Sequence, residues 1–274
     1  MITLKDLNKR FGEIEVFKKV NLSIKEGEFI SLLGPSGCGK STLINIISGL
    51  DKADGGNVII DNEEIHGTNV DRIMVFQNAA LFPWMNVYQN VAFGLKNICK
   101  DSKEIKRKVD QVLRKVHLSK FKTHYPHELS GGMKQRVSIA RSLVMDPKVL
   151  LMDEPFSALD EQTRMLLHHE LQQIWMETGK TIIFVTHNIR EAVKLSDRVI
   201  VMGIRPGGII EDIKIDMHHP RKNTDPNLFS QEEKVYKVLK GEIEKVVREE
   251  MGNEYKFEKD PIPFEHSNTM GGGI

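Results

Sequence analysis

The sequence has few cysteines and almost no net charge. Its 274 residues include two cysteines, Cys38 and Cys99, and the formal net charge is +1. Two cysteines do not suggest a disulfide framework, which favours a reducing cytoplasm. A charge this close to zero leaves no basic footprint of a nucleic-acid binder, so we expect no nucleic-acid partner.

Long apolar segments are also missing. No apolar run approaches the roughly 18 residues of a membrane-spanning helix, and the N-terminus shows no signal-peptide pattern. We therefore expect any role at a membrane to depend on partner subunits. With 40% hydrophobic and 28% charged residues, the chain is typical of a globular protein with a large core and a smaller appendage.

The most specific pattern present is residues 34–41, Gly-Pro-Ser-Gly-Cys-Gly-Lys-Ser, which we call the phosphate loop. Its glycines allow backbone N–H groups to turn inward around a phosphate, Lys40 can reach the β and γ phosphates, and Ser41 can hold Mg²⁺. An apolar strand pattern at 28–33 and a helix pattern at 41–47 flank it. A chance glycine-rich turn is the alternative, expected in roughly 1% of chains this long. The predicted ATP-binding residues here are Gly34, Ser36, Gly37, Cys38, Gly39, Lys40, Ser41 and Thr42.

A second candidate for phosphate chemistry lies at residues 149–154, where four apolar residues precede Asp153 and Glu154. The apolar run predicts a buried strand that delivers two carboxylates at its end. We expect Asp153 to hold Mg²⁺ through water and Glu154 to polarise the attacking water. An ordinary strand that ends in acidic residues is the alternative, and the phosphate loop makes it the weaker interpretation.

Residues 129–136, Leu-Ser-Gly-Gly-Met-Lys-Gln-Arg, form a third motif, which we call the serine-glycine segment. It puts a serine and two glycines at a predicted helix start, where an anion can dock.

With these motifs in this order, the chain resembles the ATP-binding subunit of an ABC transporter through roughly its first 215 residues. The resemblance implies that Phe11 stacks on adenine beside Val16, that Gln77 touches Mg²⁺ and senses a membrane partner, and that His187 contacts the γ-phosphate. It further implies contacts to the ATP of the opposite subunit from Ser130, Gly131, Gly132 and Asp160.

Three of these positions have other interpretations. Phe11, at a position where the family more often has tyrosine, would by itself be interpreted as a core residue. A lone histidine after the apolar run 181–185 is more often a hydrogen-bonded residue at a strand end. Asn188 departs from the aspartate common in relatives, which removes a charge beside His187 and leaves the histidine in place.

The pattern along the chain predicts an α/β fold: a P-loop NTPase core with an antiparallel β subdomain and an inserted helical subdomain. The core comprises 1–77 and 130–217, and the insertion 78–129, in which apolar residues recur at helical spacing from Ile105 to Val116. Residues 218–250 form a C-terminal helical segment and 251–274 a flexible or regulatory tail. The helical stripe from Val235 to Val247 is expected to pack on its own domain, with a dimer contact as the alternative.

The segment after Gln77 is unusually apolar, with Phe82, Pro83 and Trp84 in succession. These aromatic residues either pack the helical subdomain or form the groove that, by the family resemblance, receives a permease helix. Residues 83–91 are similar to those of importers of nitrate, sulfonates, taurine and related small solutes.

The resemblance implies a homodimer of ATP-binding subunits that encloses two ATP with Mg²⁺. Such a dimer is peripheral at the cytoplasmic face of the cell membrane, where it powers import of a small organic or inorganic anion through an integral-membrane permease. An extracellular or periplasmic solute-binding protein serves the same system. The alternative is a non-transport ABC ATPase acting on nucleic acid or ribosomes, although no long heptad tract or second phosphate loop is present. A purely regulatory nucleotide-binding module is a third interpretation, against which Glu154 and His187 weigh.

Overall fold

Two β-sheets organise the chain. The computed structural model describes residues 2–251, with side chains to residue 245; the predicted tail at 251–274, beyond its first residue, and the side chain of Val247 lie outside the described part. The strands are β1 (Ile2–Phe11), β2 (Ile14–Ile24), β3 (Phe29–Leu33), β4 (Gly55–Ile60), β5 (Glu63–Glu64), β6 (Arg72–Val75), β7 (Val149–Asp153), β8 (Thr181–Thr186), β9 (Arg198–Met202) and β10 (Ile209–Lys214). The α-helices are α1 (Lys40–Ser48), α2 (Val87–Ile98), α3 (Ser102–Lys115), α4 (Gly131–Leu143), α5 (Glu161–Thr178), α6 (Ile189–Leu195) and α7 (Pro226–Met251).

The larger sheet has the strand order β10-β9-β3-β8-β7-β6. All neighbouring strands in it are parallel except the β9–β10 pair, which forms an antiparallel hairpin. β3 and β8 are buried along their whole length, as expected for parallel strands covered on both faces. Because parallel strands end at one edge, the residues after β3, β6, β7 and β8 meet there.

The smaller sheet is antiparallel, with the order β2-β1-β4-β5. Its inner face and the adjacent face of the larger sheet share one apolar core with α1, which includes Phe17, Leu43 and Ile47. The predicted fold class, a P-loop core with an antiparallel β sheet and an inserted helical part, is confirmed.

Helices α2 and α3 lie between β6 and α4. Asn86 caps α2 by accepting a hydrogen bond from the Gln89 N–H at 2.8 Å, and the Asn86 N–H donates one to Oε1 of Gln89 at 2.9 Å, which is a capping box. In α3 the residues Ile105, Val109 and Leu113 are buried, so the helical stripe predicted from the sequence is confirmed there. Among the described residues, no helix has the length and apolar character needed to cross a bilayer.

The C-terminal helix α7 packs on the larger sheet. Val235 and Leu239 are buried against residues of α6 and β9, including Ala192 and Val201. The first part of the predicted stripe therefore packs on its own chain.

Candidate active site

The phosphate loop turns tightly at two glycines between β3 and α1. Gly37 has a φ of 77° and Gly39 a φ of 102°, in the left-handed region that residues with a Cβ rarely adopt. A Cβ on Gly39 would lie 2.8 Å from Cγ1 of Val16. The loop therefore packs directly on β2 at Val16.

Lys40 begins α1 and is only 6% exposed. Its Nζ donates hydrogen bonds to the carbonyl oxygens of Gly34 and Pro35, both at 2.8 Å. A cation enclosed by a turning backbone at the start of a helix is an arrangement that attracts phosphate. The loop and Lys40 can therefore bind a polyphosphate.

Cys38 is buried within the loop. It is 1% exposed, and its Sγ lies 3.8 Å from Nζ of Lys40. Burial raises the pKa of the Cys38 thiol, and the Lys40 charge opposes that rise. Ser36 is exposed and Thr42 half-buried at the mouth of the loop and the first turn of α1.

Ser41 and Asp153 meet at the ends of α1 and β7. The Ser41 hydroxyl donates a hydrogen bond to Oδ1 of Asp153 at 3.1 Å. Burial raises the pKa of Asp153, the neighbouring Glu154 charge adds to this, and the Ser41 bond and Lys40 oppose it. Hydroxyl and carboxylate oxygens are ligands that Mg²⁺ prefers. A bound cation would also favour the ionised carboxylate, so this pair fits Mg²⁺.

Gln77, the other predicted metal ligand, follows β6. Its Nε2 donates to the hydroxyl of Ser157 at 2.9 Å, and that hydroxyl donates to the backbone oxygen of Glu154 at 3.0 Å. Ser157 thus connects Gln77 to the backbone of Glu154. The sequence gives no signal for this contact, which joins residues 80 positions apart.

Glu154 and His187 directly follow the adjacent strands β7 and β8. Oε2 of Glu154 lies 3.1 Å from Nδ1 of His187. Glu154 has a φ of 43°, a strained conformation for a residue other than glycine, and its N–H is held by the carbonyl of Val185 at 3.0 Å. The strain directs a partly exposed carboxylate toward the histidine at the sheet edge.

A buried polar network supports the loop that carries His187. The Thr186 hydroxyl donates to Oε2 of Glu191 at 2.6 Å, and Oε1 of Glu191 lies 3.1 Å from Nε2 of His168. Burial alone would raise the pKa of Glu191, but hydrogen bonds from His168 and Thr186 hold it below its ordinary value. Sequence analysis missed this network. The spacing of Asn188 and Glu191, typical of a helix start, is the one signal that could have indicated part of it.

The serine-glycine segment lies against the start of α5. Ser130 caps α4 by accepting from the Met133 N–H at 3.3 Å, and a Cβ on Gly132 would lie 2.3 Å from Cγ2 of Thr163. Asp160 caps α5 by accepting from the Thr163 N–H at 2.9 Å, which lowers the pKa of Asp160. Ser130, Gly132 and Asp160 are therefore grouped around Thr163, and a Cβ on Gly131 would lie 3.5 Å from the neighbouring Leu159.

Most of the predicted residues fall into two groups in one chain. The first group surrounds the phosphate loop, and the second consists of the serine-glycine segment and Asp160. Within the described residues, no hydrogen bond or ion pair joins Ser130, Gly131 or Gly132 to the phosphate loop.

Phe11 lies at the end of β1 with 53% of its surface exposed, and Nζ of Lys9 lies 4.9 Å from its ring centre. Phe11 is thus an exposed aromatic residue, and its interpretation as core is wrong.

Three aromatic side chains form a patch near the loop after Gln77, which we call the aromatic patch. The ring of Phe82 lies 5.7 Å from that of Trp84 and 4.6 Å from that of Phe93. Trp84 is 69% and Phe93 41% exposed. The interpretation of Trp84 as internal packing is therefore wrong. An exposed apolar cluster of this kind typically marks an interaction surface.

Comparison with known proteins matches residues 17–157 to a family model described as ABC transporter. The nitrate import ATP-binding protein NrtD of Synechocystis sp. is 43% identical over 253 residues, 88% of this chain and 95% of that protein. The aliphatic sulfonates import ATP-binding protein SsuB of Bacillus thuringiensis subsp. konkukian is 44% identical over 220 residues, 80% and 86% of the two chains. A dimeric ATP-binding cassette solved in a post-hydrolysis state with ADP and phosphate superposes with a TM-score of 0.69 at 36% identity, covering 80% of this chain and all of the other.

Proposed function

Because the chain belongs to the ABC transporter family and is an ABC-type ATPase, we propose that it powers the import of a small anion through a separate permease. One observation carries the cargo class: relatives similar over most of their length are named for importing nitrate and aliphatic sulfonates. Both cargoes are anions. The chain shares 43% and 44% identity with these two proteins.

In the proposed site, the phosphate loop holds the ATP phosphates, and Phe11 and Val16 receive the adenine. Ser41, Asp153 and Gln77 hold Mg²⁺, which neutralises phosphate charge when bound. Glu154 polarises the attacking water, and His187 contacts the γ-phosphate. Nδ1 of His187 lies 3.1 Å from Oε2 of Glu154. Positioning and charge stabilisation supply most of the catalysis of phosphoryl transfer.

We propose that the second group of residues acts on the partner subunit of a homodimer. Ser130, Gly131, Gly132 and Asp160 would complete the γ-phosphate site of the opposite chain, since each group alone provides only half of the contacts. ATP then favours the closed dimer and hydrolysis favours the open one, because the shared ligand is lost. A cassette similar to this chain is dimeric in its solved structure, which supports the proposal.

We propose that conformational changes at the catalytic site are transmitted to the membrane partner through Gln77. Its bond to Ser157, and that of Ser157 to the Glu154 backbone, couple the catalytic edge to the segment that leads to the aromatic patch. We propose that residues 78–129 move as a helical subdomain against a core of residues 1–77 and 130–217. The aromatic patch docks a permease at the cytoplasmic face of the membrane, and an external solute-binding protein delivers the anion.

Capture of the Glu154→Gln protein from detergent-solubilised membranes of the source organism tests the partner. Mass spectrometry is expected to identify a protein with several membrane spans. Trp84→Ala should abolish this capture, whereas the matched variant Phe229→Ala, at an exposed aromatic residue of α7, should retain it. Recovery of ribosomes or DNA-processing proteins in place of a membrane protein would contradict the proposal.

The cargo class is tested by reconstituting the captured complex in liposomes with its solute-binding protein. Nitrate, an aliphatic sulfonate and an uncharged solute of similar size are compared as stimulators of ATP hydrolysis. We expect stimulation by one of the anions alone. Stimulation by the uncharged solute alone would leave the ATPase assignment intact and contradict the proposal that the cargo is an anion.

A further inference from the structure

The turn between β9 and β10, residues 203–208, packs against the phosphate loop. The Gly207 N–H donates to the carbonyl of Val16 in β2 at 2.9 Å, and a Cβ on Gly207 would lie 2.8 Å from the carbonyl oxygen of Cys38 in the loop. The reason is topological: β3 and β9 are parallel neighbours, so the segments after them lie side by side. A change in the conformation of this turn should therefore alter the conformation of the phosphate loop.

Arg205 makes the polar contact between the two segments. Its Nε donates a hydrogen bond to the carbonyl oxygen of Gly37 at 2.9 Å. Its Nη2 lies 3.6 Å from the position that a Cβ on Gly37 would occupy. The guanidinium thus lies against the loop at a glycine with a φ of 77°, where no Cβ restricts the backbone.

The contact also fixes the peptide group that follows Gly37. The peptide that joins Gly37 to Cys38 is planar, so the Cys38 N–H points away from the carbonyl that Arg205 holds. That N–H faces the carbonyl of Pro35 at 3.4 Å, and the same carbonyl accepts from Nζ of Lys40 at 2.8 Å. Fixing the Gly37 carbonyl therefore fixes the direction of the Cys38 N–H, one of the loop N–H groups on which phosphate binding depends.

The C-terminal helix holds the turn that carries Arg205. Glu242 of α7 is 5% exposed, and its Oε2 accepts a hydrogen bond from the Ile204 N–H at 3.0 Å. Its other oxygen pairs with Lys245. A buried carboxylate bonded to a backbone N–H is expensive to leave unpaired, which makes the contact persistent.

We propose that Arg205 is a positioning residue of the ATP site: it orients the phosphate loop by holding the Gly37 carbonyl, and Glu242 of α7 holds Arg205 in place. The ligand served is the polyphosphate of ATP or ADP. This inference rests on the proposed ATP site. It assigns the C-terminal helix a part in nucleotide binding, transmitted through the β9–β10 turn.

The test measures the Kd of the full chain for Mg-ADP by calorimetry and the kcat and KM for ATP. Arg205→Ala is expected to raise the Kd and the KM about tenfold, the effect of losing one charge-assisted hydrogen bond. The kcat should stay within about twofold, since the contact orients the loop and touches no reacting atom. Arg205→Lys, which keeps a cation and a donor, should bind within about threefold of the wild type. Arg107→Ala, an exposed arginine of α3, serves as the matched control.

The link to α7 is tested with Glu242→Ala and the double variant. Glu242→Ala should weaken Mg-ADP binding in the same direction, and the double variant should bind no more weakly than Arg205→Ala alone, because both changes act through one contact. Additive losses would overturn the role of Glu242. Glu233→Gln, on the exposed side of α7, is the control and should leave the Kd unchanged.

Three results overturn the inference. If the wild type binds Mg-ADP and Arg205→Ala binds it equally well, the ATP site stands and Arg205 has no part in it. If Arg205→Ala lowers the nucleotide-free melting temperature and Arg205→Lys restores neither stability nor affinity, the residue is merely structural. If the wild type itself fails to bind, the proposed ATP site is wrong and the inference falls with it.

Discussion

Oε2 of Glu154 and Nδ1 of His187 lie 3.1 Å apart at the ends of two adjacent parallel strands. The contact links the residue proposed to polarise water with the residue proposed to contact the γ-phosphate. Both lie at one edge because β7 and β8 run in the same direction.

Glu154→Gln is expected to slow ATP hydrolysis by on the order of a hundredfold or more, the scale of losing a positioned base. Glutamine has a similar size and keeps a polar contact to His187, so ATP binding should persist and the dimer should accumulate with ATP. Steady-state turnover and size-exclusion chromatography with ATP measure the two effects. Normal turnover would remove Glu154 from its proposed role.

Ser130→Arg should abolish turnover and leave ATP binding by the same chain intact, because Ser130 is proposed to act on the opposite subunit. Calorimetry with ATP and a phosphate-release assay separate the two properties. Ser119→Arg, which makes the same change at an exposed position, should affect neither. Loss of ATP binding in Ser130→Arg would contradict the assignment to the opposite site.

Alkylation of Cys38 should block ATP binding, since the thiol lies inside the phosphate loop, 3.8 Å from Nζ of Lys40. Burial raises the pKa of this thiol. The reactive thiolate is therefore scarce at neutral pH, and alkylation should accelerate as the pH rises past the ordinary thiol value of about 8.5.

A Cys99→Ser background isolates the reaction at Cys38, and Cys38→Ala is the unreactive control. Mass spectrometry measures the extent of modification and calorimetry the ATP affinity. Unchanged affinity after complete modification would contradict the prediction.

Thr186→Val removes the hydroxyl that donates to Glu191 and accepts from the Asn188 N–H at 3.0 Å. It leaves a buried carboxylate and a backbone N–H with fewer partners, at a cost of about 1–3 kcal/mol in the free energy of unfolding. Urea denaturation measures the loss, and kcat should fall with it because His187 is the next residue. Thr178→Val, at the end of α5, should change stability by less than about 0.5 kcal/mol. An unfolding free energy equal to that of the wild type would show that the network does not stabilise the loop.

The Glu191 network also predicts an acid dependence of stability. Because the pKa of Glu191 is lower in the fold than in the unfolded chain, the ionised form stabilises the fold at neutral pH. This contribution is full above the unfolded value of about 4.3 and is lost as the pH falls through the lower folded value. Glu191→Gln should therefore flatten the pH dependence of urea denaturation below about pH 4.3. A slope equal to that of the wild type would contradict the prediction.

Much of the fold follows from patterns that occupy short stretches of the chain. The apolar runs of β3 and β8 indicate buried strands, and the stripe from Ile105 to Leu113 indicates a helix. The ends of strands are harder to predict from the sequence. β4 begins at Gly55 and β6 at Arg72, before their first apolar side chains at Val58 and Ile73, because pairing with neighbouring strands extends a strand beyond its apolar residues.

Exposure at single aromatic residues could not be read from the sequence. Phe11 is 53% and Trp84 69% exposed, yet each is of a type that is usually buried. Only the packing around a residue decides how much of its surface remains accessible, and that packing involves elements distant in sequence.

The sequence by itself determined which residues are suited to bind phosphate and its Mg²⁺, because each motif is a local requirement of backbone conformation and side-chain chemistry. These motifs are the glycines where the loop must turn, Lys40 at a helix start, and the carboxylates at the end of a strand. The tertiary structure decided which of them meet. The bonds from Ser41 to Asp153, from Arg205 to Gly37 and from Ile204 to Glu242 span 112, 168 and 38 positions. They exist because parallel strands end at one edge of the sheet and a distant helix packs beside it.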